Sequence, residues 1–114
     1  MNIGIYAAGL LVPVIGLVVG LIAKAKPAKN INSTIGYRSK KSKSSQEMWD
    51  KAQVLMAKYF IMISAVLLVV SLIAGYFIAS MSDLNSMIIG ICILSIVQVL
   101  GICAVIPLVE SKLN

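Results

Sequence analysis

Three long apolar runs are separated along this chain by polar stretches, only one of which is long. The runs are Ile3 to Ala23, Tyr59 to Ala79 and Ile88 to Val109, and none contains a charged residue. A helix rises about 1.5 Å per residue, so runs of about twenty residues cover the roughly 30 Å hydrocarbon core of a bilayer. Backbone groups in lipid must pair internally, which makes such runs helices; barrel strands would be shorter and would alternate polar with apolar. The pattern predicts an all-α integral membrane protein. It is read as a single three-span module over residues 1–114, with spans at about 3–23, 55–79 and 87–109 and a basic cytoplasmic loop over 24–54.

Polar and small residues punctuate the runs. In the first, which reads as a retained helix, Gly9, Pro13, Gly16 and Gly20 recur at spacings that share one face. Small residues let helices approach closely in lipid, either as a seam between copies in a homo-oligomer or, as favoured here, within one chain. The second run carries Ser64, Ser71 and Gly75 on one side, and the third carries Gln98 near its middle. These intramembrane polar residues read as structural glue first, and second as a site for a polar substrate. Ser80 to Ser86 is long enough only for a tight turn, so the second and third spans form an antiparallel hairpin. Cys92 and Cys103 are read as buried packing residues, and Pro107 is expected to close the span before a short tail.

The long polar stretch lies between the first two spans. Pro27 sits in a basic linker, Asn32 to Ser39 has no helical period, and Lys40 to Lys43 reads as a solvated charged stretch. Ser44 and Glu47 match a capping box, so a helix is expected from about Ser45 through Ala79. Its stripe is Met48, Ala52, Leu55 and Tyr59, and Trp49 beside it suits the head-group level.

Charge settles the orientation expected. The net charge of +6 is not spread evenly: nine basic residues lie between Lys24 and Lys58 against Glu47 and Asp50. Basic residues crowded beside spans mark the cytoplasmic side and attract anionic lipid head groups. This places the chain in a membrane with the amino terminus outside and the carboxyl terminus cytoplasmic, its partners membrane lipids rather than nucleic acid. With no His, no CxxC and every carboxylate outside the runs, neither a catalytic set, a metal site nor a cofactor is expected. The loop instead offers binding chemistry. Arg38, the one arginine, presents a planar fork suited to phosphate or carboxylate, and Asn32, Thr34 and Ser39 add neutral donors and acceptors. Arg38 as a plain topology charge is the competing reading.

The pattern Asn32-x-x-x-Gly36-Tyr37-Arg38-Ser39, followed by Ser42, Trp49 and Ala52-Gln53, resembles the SdpI family of small bacterial membrane proteins. The ending from Pro107 through Glu110 to Leu113 is also similar. Ser39 stands where the family has threonine, and longer members carry further spans. The resemblance implies immunity to, or sensing of, a membrane-active peptide toxin, with signalling to a cytoplasmic repressor. Asn32, Gly36, Tyr37, Arg38, Ser39 and Trp49 would form the ligand-binding cluster. The alternative is a small intramembrane enzyme or transporter acting on a lipid or peptide. A polar cavity joining Gln98, Ser64 or Ser71 to the loop would favour that alternative.

Overall fold

The computed structural model describes residues 1–32 and 36–113. Its elements are α1 (Ile3–Ala25), a one-turn 3-10 helix (Ser42–Ser44), α2 (Gln46–Ala79), α3 (Leu84–Cys103) and α4 (Val105–Lys112). Among the described residues, three helical stretches are long and apolar enough to cross a membrane: α1, α2, and α3 with α4 taken together. Their outer faces are lined by large apolar side chains such as Val18, Val66, Val69, Ile93 and Leu100. Exposed hydrocarbon on this scale suits lipid and not water.

The helices pack through small residues. Gly9, Pro13, Gly16 and Gly20 are the buried residues of α1. A side chain at Gly16 would run into the Ser64 hydroxyl of α2 and Ile102 of α3, and one at Gly20 would meet the backbone of Ile61. Lower on the same helices, Gly75 approaches the Tyr6 ring, so α1 and α2 are antiparallel. Gly90 against Ile78 and Gly101 against Leu67 set α3 antiparallel to α2. The small-residue stripe is therefore occupied by contacts within the chain.

One polar contact sits in the middle of this packing. Pro13 has no N–H, so the carbonyl of Gly9, four residues earlier, loses its helical partner. Gln98 of α3 replaces it: its Nε2 donates to the Gly9 carbonyl at 2.6 Å and to Ser71 Oγ at 2.8 Å. Only the NH2 end of the amide can face a carbonyl, so the partner fixes the orientation. Gln98 and Ser71 are both fully enclosed.

The hairpin between α2 and α3 closes as expected, with Asp83 capping α3 by accepting from the Ser86 N–H. Four local readings change. The N-cap of α2 is Ser45, whose hydroxyl accepts from Met48 N–H, while Ser44 lies in the 3-10 turn and donates to the Lys41 carbonyl. A capping box at Ser44 and Glu47 would need the helix to start one residue earlier. Cys92 and Cys103 are exposed on the outer face, since α3 turns Leu94 and Gln98 inward instead. Pro107 does not close a span: it lies in the first turn of α4, where a missing N–H costs nothing within the helix. Its ring disfavours a straight run through Cys103, and the chain breaks at Ala104, whose N–H is shared between the Leu100 and Gly101 carbonyls. What reads as a tail after Val109 is the end of α4, and Leu113 beyond it is buried.

That break matters because α4 turns Val105, Val109 and Leu113 onto Ala52 and Met56 at the start of α2. These form the main apolar cluster of the protein, and it lies at the loop end of the molecule. α2 has 34 residues. At about 1.5 Å each it is roughly 20 Å longer than the hydrocarbon core, so its first turns stand outside the membrane. There, water is available to drive apolar association.

Candidate functional site

The described parts of the loop, Lys26 to Asn32 and Gly36 to Ser45, are folded back onto this cluster, and each attachment can be traced to a side chain. Pro27 ends α1, because the residue before a proline avoids helical backbone. The chain then passes Trp49, which is fully buried and donates from Nε1 to the Ala28 carbonyl at 2.7 Å. Next to it, Gln46 Nε2 donates to the Lys29 carbonyl at 2.6 Å and to Asp50 at 2.8 Å.

Gln53, one turn after Trp49 on the same face, grips the motif itself. Its Oε1 accepts from Tyr37 N–H at 2.7 Å, and its Nε2 donates to the Tyr37 carbonyl at 2.8 Å. One side-chain amide thus pairs with both backbone groups of one residue, as a neighbouring strand would. Gln53 is 2% exposed, so neither of its polar ends has water as an alternative. Gly36 makes this approach possible. Its φ is +93°, and a Cβ there would sit 2.6 Å from Gln53 Oε1 and 3.1 Å from Ala28. Only glycine meets both demands.

Beyond Gly36, the Tyr37 hydroxyl donates to Glu110 Oε1 of α4 at 2.6 Å, with the Ile106 carbonyl a longer second acceptor at 3.3 Å. Burial first, and then the bonded carboxylate, raises the phenol well above its ordinary value. Tyr37 therefore keeps its proton and serves as a fixed donor. Ser42, fully buried, ties off the turn: its Oγ accepts from Ser39 N–H and donates to the Ser39 carbonyl, both at 2.8 Å. The Ser39 hydroxyl returns the favour to Ser42 N–H at 3.1 Å. In the stretch Lys40 to Lys43 the three lysines are exposed, as expected of a solvated stretch, and the chain turns around the enclosed Ser42.

Of the expected cluster, the structure brings together Gly36, Tyr37, Ser39 and Trp49 through Ala28, Gln53 and Glu110. Trp49 is sealed inside the protein rather than set among head groups, so it positions the loop and offers no open face. Asn32 lies at the near edge of this region, its Nδ2 donating to the Asn30 carbonyl at 2.9 Å. Arg38 is exposed on the outer side of the latch. Thr34 lies outside the described residues. Ser64, Ser71 and Gln98 belong to the helix interface, each fully enclosed, and not to the loop. Sequence reasoning assigned no role to Gln53, Ser42 or Glu110. A glutamine on the buried face of a helix start, one turn from the tryptophan, was the available signal for the first. Among the described residues, no group of His, Cys, Asp and Glu is arranged to hold a metal.

A multi-pass membrane protein whose long loop is latched onto the start of its second helix is the class these features define. The chain belongs to the SdpI family: a model described as the SdpI/YfhL protein family matches residues 29–111, the loop together with α2, α3 and most of α4. The chain is also similar to the uncharacterized protein YfhL of Bacillus subtilis strain 168, at 32% identity over 72 residues. That alignment covers 63% of this chain and 61% of the relative. No solved structure matches.

Gly36→Ala tests the latch. A left-handed backbone on a residue with a Cβ costs about 1–3 kcal/mol, and here the methyl also meets the Gln53 amide. Trypsin is expected to cut at Lys40, Lys41 and Lys43 at least several-fold faster in Gly36→Ala than in the parent. Equal cleavage rates would mean that Gln53 and Gly36 do not hold the loop.

Proposed function

We propose that this chain gives immunity to, or senses, a membrane-active peptide toxin, with the latched loop as its recognition surface and Arg38 as the recognising group. The carrying observation is the way the motif is used. Gly36, Tyr37, Ser39 and Trp49 are engaged in folding the loop, and the Arg38 side chain is exposed within that bonded turn. A pre-shaped turn loses little entropy on binding, and a guanidinium fork matches a carboxylate or phosphate in two parallel hydrogen bonds. The enclosure of Ser64, Ser71 and Gln98 within helix contacts supports a binding protein over an intramembrane enzyme or transporter. Family membership supports the same class.

In this reading the amino terminus is outside, and the loop and carboxyl terminus are cytoplasmic, within reach of a repressor. The concentration of lysines between Lys24 and Lys58 supports that orientation. Cysteines introduced singly as Lys43→Cys and Ser82→Cys, in a chain lacking Cys92 and Cys103, test it. An impermeant thiol reagent is expected to label position 82 in intact cells and position 43 only after permeabilisation. The reverse pattern would invert the topology.

The recognition role is tested by protection of cells against a membrane-active peptide, comparing Arg38→Lys with Lys40→Arg at equal expression. Losing a charged hydrogen bond of the fork costs about 1.5–3 kcal/mol, so Arg38→Lys should weaken protection by about tenfold or more. Lys40→Arg should protect fully. Full protection by Arg38→Lys would reduce Arg38 to a topology charge.

A further inference from the structure

The first charge after the apolar run of α1 is Lys24, and the last charge before that of α2 is Lys58. Each therefore marks, on its own helix, the level where hydrocarbon gives way to phosphate. Because α1 and α2 are antiparallel, the fold brings these two marks together. Both lysines line one groove of about 310 Å³, whose remaining walls include Pro27, Val54, Ile61 and Met62. Val54 and Met62 are 65% and 52% exposed, so the groove opens outward between the helices. The nearest carboxylate before Lys58 on α2, Asp50, is about 12 Å down the helix and is engaged with Gln46.

The groove has a direction. Ile61 and Met62 lie on the membrane side of Lys58, and Val54 and Pro27 lie on the loop side. A ligand that fits must carry negative charge at the level of the two lysines, hydrocarbon below it and a small polar group above. Two separate snorkelling lysines would need no shared groove, whereas two lysines lining one apolar groove complement a phosphodiester with an acyl chain attached. We propose that this groove seats one anionic phospholipid, its phosphate between Lys24 and Lys58 and the first carbons of a chain against Ile61 and Met62. The seat is separate from Arg38 and does not rest on the peptide-toxin reading.

Native mass spectrometry of the full chain tests it, after incubation in detergent with equal amounts of phosphatidylglycerol and phosphatidylcholine bearing the same chains. The parent is expected to retain phosphatidylglycerol over phosphatidylcholine by roughly thirtyfold, the scale set by two lysines at about 1 kcal/mol each acting on one anionic head group. Lys24→Gln with Lys58→Gln should bring that ratio near one. Lys24→Arg with Lys58→Arg should keep it, which separates loss of charge from loss of fold. Lys40→Gln with Lys43→Gln removes the same charge from the loop and should also keep it. Equal loss in the two glutamine pairs, or no preference in the parent, would overturn the seat.

Discussion

A carbonyl inside a bilayer has no water to fall back on, and that constraint organises this protein. Pro13 leaves the Gly9 carbonyl without its helical N–H at the centre of α1, where an unpaired group costs several kcal/mol. The Gln98 amide answers it from α3 through its Nε2, which also holds Ser71 of α2, so one side chain ties all three helices at one depth. Its own Oε1 has no partner among the described residues. Around that tie, apolar attraction between helices is weak, because lipid tails are as apolar as leucine. Close approach is left to the glycines, which is why Gly16 lies against the Ser64 hydroxyl and Gly20 against the backbone of Ile61.

At the membrane edge the balance changes. Water is present, so Val105, Val109 and Leu113 of α4 gain by covering Ala52 and Met56 of α2. The break at Ala104 frees α4 to make that contact and carries Glu110 to the Tyr37 hydroxyl. A second glutamine, Gln53, then repeats for the loop what Gln98 does for the helices: it pairs with backbone groups that no regular element serves. The consequence for function is rigidity. Arg38 is exposed on a turn whose neighbours on both sides, Tyr37 and Ser39, are hydrogen-bonded within the protein.

Much of this was legible in the chain. The apolar runs marked the three long helices, and the recurrence of Gly9, Pro13, Gly16 and Gly20 marked the inner face of α1. Gly36 and Tyr37 of the loop, and Trp49 at the start of α2, were picked out by their motif. Contacts remote in sequence were not legible: nothing near Gln53 names Tyr37 as its partner, and nothing near Glu110 points sixty or more residues back. Local rules failed where two candidates competed, as with Ser44 and Ser45 for one cap. Periodicity also could not tell the lipid face of α3 from its packed face, because both are apolar, and so the cysteines were misplaced. Nor could the third run reveal its break, since Pro107 reads equally well as an end or as the start of α4.

The account holds that Gln98 matters because Pro13 orphans the Gly9 carbonyl, and a double-mutant cycle in reversible unfolding from mixed micelles tests that directly. Gln98→Met should destabilise the parent by about 0.6–2 kcal/mol. In a Pro13→Ala background, where residue 13 supplies its own N–H to Gly9, most of that loss should vanish. The two substitutions should therefore be coupled by most of the Gln98→Met loss, where independent sites would add to within about 0.3–0.5 kcal/mol. Simple additivity would contradict the account and leave Gln98 a packing residue with no special tie to α1.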